Sequence, residues 1–228
     1  VLSWRNIRRS RTWEARMDRT GAILEITLDG NGGDLVWGGG PHGQLGPAFH
    51  DIAQDRENKL VIMTGSGDAF TEQIDAEILG ERLPKNKVTP LIWGHIHAKR
   101  LLRNLLDIEV PIISAVNGPV TGQRLSAHEA LQLGGSEIMP AARLTPRARE
   151  LARPILNQPP LTVRSARVAM IRNLSNACWN ISVMLGSPGP RRECARATWG
   201  KTVGSKEVLT RKQGALCFLP ITSHKRNA

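Results

Sequence analysis

Tyrosine is absent from this sequence, and phenylalanine occurs only three times. A surface that stacks successive bases on aromatic rings beside cations is therefore not written into it. Cysteine is almost as scarce: Cys178, Cys194 and Cys217 are odd in number and show no Cys-x-x-Cys spacing. They read as free thiols of a reducing compartment, which argues for the cytoplasm and against a disulfide frame or zinc site. No apolar run approaches the ~20 residues that span a bilayer, so no membrane segment is expected. Gly65-Ser-Gly67 resembles a phosphate-cradling nest, but no Gly-Lys-Ser/Thr or Gly-x-Gly-x-x-Gly run accompanies it. No serine nucleophile elbow is visible. His95 and His97 lie two apart in a helical pattern, where their side chains diverge, so they make no metal pair.

Charge of one sign is what the chain has in excess. The formal net charge is +11, which invites a nucleic-acid reading until its location is considered. Residues 1–19 hold six arginines against Glu14 and Asp18, a net +4. Residues 176–228 hold nine Lys/Arg against Glu193 and Glu207, a net +7. The two ends thus account for the whole excess, and 20–175 is neutral. That pattern predicts a neutral body between two solvated, loose, basic ends, and argues against a basic binding face. The arginine-rich start faintly resembles a transit peptide but has no clear amphipathic pattern.

At 228 residues the chain is long enough for one sizeable core and short for two. Ala22–Leu28 alternates Leu24, Ile26 and Leu28 against Ile23, Glu25 and Thr27, as a half-buried strand does. A glycine-rich turn at Asp29–Gly33 leads to a short strand at Asp34–Trp37. Gly38–Gly40 reads as a loop before a helix over about Gln44–Asp55, with Leu45, Ala48, Phe49 and Ile52 at helical spacing. Leu60–Thr64 is a buried strand closed by the Gly65-Ser-Gly67 turn. Thr89-Pro90 opens a helix to about Leu106, whose buried face would include Ile92, Ile96, Leu102, Leu105 and Leu106. Val110–Val116 is a strand apolar enough to be covered on both faces, and it stops at Asn117-Gly118-Pro119. Strand, helix, strand in this order predicts an α/β core with right-handed crossovers. The loop leaving Val116 is then the expected site, at the carboxyl end of a parallel strand.

Further on, Ser126-Ala-His-Glu129 is a capping-box pattern, Glu137–Met139 a short strand, and Pro146–Asn157 and Leu161–Leu174 helices. Pro154 predicts a kink or an early stop. Beyond about Asn176 no period of two or 3.6 is sustained, and Ser187-Pro-Gly-Pro190 interrupts what pattern there is. Residues 176–228 read as a disordered or mistranslated tail that adds little to the core.

The runs Asp51–Phe70 and Leu101–Pro119, with Leu35-Val-Trp37, resemble the crotonase (enoyl-CoA hydratase/isomerase) superfamily. Within it they are most similar to the 6-oxocamphor hydrolase branch of β-diketone hydrolases. The resemblance covers about Met17–Thr121 as one block and Gly122–Asn173 as a second. It implies a spiral of strand–strand–helix repeats, here incomplete, and a homo-oligomer, trimer or hexamer. It also implies a small ketone or acyl-CoA substrate and no cofactor or metal.

The family's chemistry rests on two backbone N–H groups that stabilise charge developing on a carbonyl oxygen. By resemblance to its Phe-x-x-Gly-x-Asp pattern, the first falls on the Glu72 amide in Phe70-Thr-Glu-Gln-Ile-Asp75. Gln73 stands where most relatives have glycine, and the same residues equally suit an ordinary turn with Asp75 capping a helix. The second donor falls near Gly122 or Gln123, just past Pro119. Trp37 matches a pocket tryptophan whose indole N–H can donate to a substrate carbonyl, or it is a packing residue. His42 follows the same branch, or is an exposed loop histidine.

The acid–base groups are what the resemblance does not supply. Gly122–Leu131 is similar to a segment that in relatives follows the active-site helices, so Thr121-Gly122 reads as a junction. The branch's catalytic histidine and aspartate have no counterpart, and His128 and Glu129 belong to the later helix. Two functions therefore remain open at this point. One is a crotonase-type enzyme, either cleaving a cyclic β-diketone hydrolytically or hydrating or isomerising an enoyl-CoA. The other is a truncated, catalytically silent homologue with an oligomeric or structural role. A basic-tailed nucleic-acid binder comes last.

Overall fold

Three parallel strands carry the molecule: β3 (Ile23–Leu28), β5 (Leu60–Gly65) and β7 (Ile112–Val116) lie side by side. The computed structural model describes residues 9–12, 15–71, 73–74, 90–120, 131, 135–172 and 213–219. β5 explains why this region needs apolar residues without a gap. Val61 and Met63 enter one buried cluster, and Leu60 and Ile62 enter another on the opposite face. β7 divides in the same way, with Ile112 on the first side and Ile113 and Ala115 on the second. A strand covered on both faces reads as a near-continuous apolar run, which β7 interrupts only at the buried Ser114.

Helices supply the two covers. On the first face lie α1 (Gly39–Gln54) and α2 (Pro90–Leu106), which contribute Leu45, Phe49, Ile52 and Leu101. The Asn104 side-chain amide donates to the Gly46 carbonyl at 2.8 Å and ties the two helices together. On the second face lies α3 (Ala141–Leu156), which buries Leu144, Ala148 and Ala152 against Leu60, Ile62, Ile113 and Ala115. These three residues fall at i, i+4 and i+8, one stripe of the helix. A further helix, α4, covers 160–172. Its Arg167 is 4% exposed and donates to the Ile108 carbonyl at 2.6 Å, and burial pushes its guanidinium down to about 10.

Several boundaries differ from the sequence reading. α1 begins five residues before Gln44, absorbing Gly39 and Gly40, so the loop expected there is helix. α3 likewise starts before Pro146 and runs through Pro154 to Leu156. Pro154 lies in the last turn, and the helix continues past it to within one residue of the expected end at Asn157, so the early stop expected at Pro154 is corrected. Leu102 is 48% exposed and Leu101 is the buried residue of that turn, while Leu105 packs against the core cluster as expected. β7 starts at Ile112, with Val110 buried in the connection before it. The helix expected from Ser126 lies almost wholly outside the described residues.

Both ends of the chain enter the same seven-stranded sheet, ordered β1-β2-β3-β5-β7-β9-β8. β1 (Arg9–Thr12) pairs with β2 (Ala15–Thr20), which pairs antiparallel with β3. The expectation of a loose basic start is corrected for these residues. Ala15 and Met17 are buried, and Arg19 is ion-paired with Asp55 and Glu57 rather than solvated. At the other end β9 (Gln213–Leu219) pairs antiparallel with both β7 and β8 (Gly135–Pro140). The loose-tail reading is therefore corrected for 213–219. A seven-residue strand needs no long periodic pattern when both of its edges are hydrogen-bonded. The remainder of 176–228 lies outside the described residues.

Candidate functional site

The carboxyl ends of β3, β5 and β7 point the same way, so the loops leaving them meet. These are 29–35, 66–72 and 117–120. Two side chains hold them together. Asn117, 8% exposed, accepts a hydrogen bond from the Gly65 amide at 3.0 Å through Oδ1. Its Nδ2 donates to the carbonyls of Gly67 at 3.1 Å and Ala69 at 3.2 Å. One asparagine thus closes the last amide of β5 and two carbonyls of the loop after it. Asp34 grips the same loop from the other side, its Oδ1 accepting from the amides of Asp68 at 2.8 Å and Ala69 at 3.1 Å. Gly67 has φ +65, the left-handed conformation that lets the turn fold back beneath Asp34.

Backbone contacts continue the alignment. Phe70 and Thr71 both donate to the Pro119 carbonyl at 3.1 Å, and Thr71 pairs in parallel with Val120. Residue 71 immediately precedes Glu72, and residue 120 leads toward Gln123. The structure therefore aligns the two loops from which both oxyanion donors were expected. Glu72 and Gln123 themselves lie outside the described residues, as do Gly122, His128 and Glu129.

Trp37 enters from a separate two-stranded ribbon. β4 (Val36–Trp37) pairs in parallel with β6 (Gln73–Ile74), Val36 opposite Gln73 and Trp37 opposite Ile74. Trp37 is half-buried and packs on the core cluster beside α1 and α2. It sits one strand away from the segment that carries Glu72. Trp37 thus packs on the core, and the ribbon places it alongside Gln73–Ile74. His42 lies within α1, not in a loop, and its side chain is outside the described set. His95 and His97 lie in α2, and among the described residues no group of three or more His, Cys, Asp or Glu could hold a metal ion.

Asp34 and Asn117 were not singled out as site residues by sequence. Asn117 was visible only as a turn signal, and Asp34 only as the start of a strand. Their partners stand 34 to 52 positions away, and no local pattern reports that. Asp34→Ala removes the acceptor for two amides that water then reaches in part. The expected cost is roughly 1–2 kcal/mol, read as a lower urea midpoint with an unchanged slope.

This is a crotonase fold: parallel strands backed by helices, with paired loops at the carboxyl ends. Its structural neighbours agree. A β-diketone hydrolase from the cyanobacterium Anabaena sp. PCC 7120, bound to (S)-3-oxocyclohexyl acetic acid, superposes with a TM-score of 0.58 at 26% identity, covering 73% of this chain and 88% of its own. An enoyl-CoA hydratase from Mycobacterium avium subsp. paratuberculosis K-10 gives 0.60 at 16% identity, covering 78% of this chain and 96% of its own. An enoyl-CoA hydratase/isomerase from Mycobacterium paratuberculosis gives 0.58 at 17%, covering 77% and 89%. No family model matches the chain, and no curated protein matches it. The fold is thus the one that the crotonase-type neighbours share, and it agrees with the resemblance read from the sequence.

Proposed function

We propose that this chain is a carbonyl-binding crotonase homologue of the β-diketone hydrolase kind, with little or no turnover of its own. Trp37 donates its indole N–H to a ketone oxygen. The amides of Glu72 and Gln123 face the position where an oxyanion would form, and His42 belongs to the same pocket. The protein is read as cytoplasmic and homo-oligomeric, with a neutral body at 20–175. Among the described residues no helix is long and apolar enough to cross a membrane.

The observation that carries this reading is the join between the loops. Thr71 pairs with Val120 while Gln73 pairs with Val36, so the segment bearing Glu72 lies between those leading to Gln123 and Trp37. The 26% identity to a diketone hydrolase favours a ketone over an acyl-CoA, because the hydratase neighbours share the fold at 16–17%. The missing acid–base segment favours binding without efficient chemistry. In the limit of no turnover the chain is a silent homologue whose role is assembly.

The test is calorimetric titration with (S)-3-oxocyclohexyl acetic acid, the ligand of the diketone hydrolase neighbour. Wild type should bind, and Trp37→Phe should bind about fivefold more weakly, the worth of one neutral hydrogen bond near 1 kcal/mol. Equal affinity in the two proteins removes Trp37 from the site. No binding by wild type removes the ketone reading.

A further inference from the structure

A cleft opens at the amino ends of β5 and β7, the opposite pole of the sheet from the candidate site. Lys59 precedes β5 and Val110 lies just ahead of β7, and both line it. Ile155 and Leu156, the last residues of α3, add apolar surface, as does Val163 in the first turn of α4. Gln158 and Arg164 join Lys59 in its polar lining. The cleft holds about 300 Å³ of empty space, its open mouth included, at the small end of the range for ligand sites. β5 is six residues long, so roughly 20 Å of strand separates the cleft from the converging loops. It shares no residue with the ketone site.

Both cations of the cleft are tethered. The Lys59 Nζ donates to the Arg56 carbonyl at 3.1 Å, and the Arg164 guanidinium donates to the Glu109 carboxylate at 3.1 Å. Each keeps N–H donors beyond its tether, because neither an ammonium nor a guanidinium has only one. The Glu109 side chain is 56% exposed, so its ion pair is screened by solvent and competes weakly with a ligand anion. Lys59 and Arg164 against Glu109 leave a net +1 beside a mostly apolar lining. A monoanion with a short alkyl tail matches both features. Inorganic phosphate carries more charge than the cleft balances and has no tail for its apolar side.

We propose that this cleft binds a short-chain monocarboxylate of the size of butyrate. The carboxylate accepts charge-assisted hydrogen bonds from Lys59 and Arg164, and the tail lies against Val110, Ile155, Leu156 and Val163. The small volume limits that tail to a few carbons. Such a ligand touches the end of α3, the start of α4 and the residues leading into β5 and β7 at once. It therefore stabilises the folded chain by mass action, without contact with the candidate site.

Titration of the full chain with butyrate, followed by backbone amide chemical shifts, is the test. Saturable shifts are expected at Lys59, Val110, Gln158 and Val163, with Phe70, Thr71 and Val120 unmoved. Butyramide, the neutral isostere, should bind at least about tenfold more weakly, since it lacks the charge-assisted bonds. Lys59→Gln and Arg164→Gln should each weaken butyrate about fivefold, and inorganic phosphate should not compete. Saturable shifts confined to Phe70, Thr71 and Val120 would put the carboxylate in the candidate site and overturn the cleft. Equal binding of butyramide, or displacement of butyrate by phosphate at the same concentration, overturns the carboxylate class. Absence of saturation at the cleft residues of the wild-type chain overturns the proposal outright, whether or not a variant folds.

Discussion

Turnover of a cyclic β-diketone by this chain is expected to fall about 10²–10⁴-fold below that of an intact diketone hydrolase, the usual worth of general acid–base catalysis. Oxyanion donors lower the barrier by stabilising charge on the carbonyl oxygen, but they neither activate water nor protonate a carbanion. In the β-diketone hydrolase branch a histidine and an aspartate do that work, by the resemblance. Here the chain passes from Thr121 to a segment similar to a later part of the family. Three side chains of the described loops are already engaged with backbone: Asp29 with Gly32, Asp34 with Asp68 and Ala69, and Asn117 with Gly65, Gly67 and Ala69. Steady-state assays with a cyclic β-diketone and with an enoyl-CoA provide the check. Robust turnover that falls in Trp37→Phe would defeat the expectation and mean that other residues, His42 and Glu72 first, carry the proton transfers.

The largest structural effect is expected at Gly118. A Cβ built there falls well inside van der Waals contact distance of the Asp68 carbonyl oxygen and 3.1 Å from the Ala69 Cα. Both neighbours are backbone, and Asp34 and Asn117 already fix them, so no side-chain rotation relieves the clash. Gly118→Ala must push apart the two loops that form the candidate site. The expected cost is about 3 kcal/mol, at the upper end for overpacking, or roughly 6–12 °C in melting temperature for a chain of this size. Gly43→Ala is the control. It lies inside α1 with nothing within 4 Å of its added Cβ, and should stabilise by roughly 0.8–1 kcal/mol through helix propensity. A Gly118→Ala protein as stable as wild type would show that the loops are not held as tightly as their contacts imply.

The two substitutions separate stability from function. Gly118→Ala should lower ligand affinity together with melting temperature, since it moves the loop toward Gln123. Trp37→Phe should weaken ligand binding while leaving most of the packing on the core cluster in place.

By itself the sequence determined the elements whose pattern is local. β3, β5 and β7 were legible as apolar or alternating runs closed by Gly, Asn and Pro, because strands between two helical layers bury mostly apolar side chains on the faces those layers cover. The α/β class and the loop after Val116 followed from the same runs. Tertiary structure decided the rest. Whether Arg19 is solvated depends on Asp55 and Glu57, more than thirty positions away, and not on the arginine count of its neighbourhood. Asn117 and Asp34 became site residues only when three loops converged at one edge of the sheet. Gln213–Leu219 is a strand through its pairing with both β7 and β8, and a seven-residue uncharged segment carries no sign of that on its own. Hydrophobic period is a property of neighbours in sequence, whereas pairing and charge compensation belong to neighbours in space.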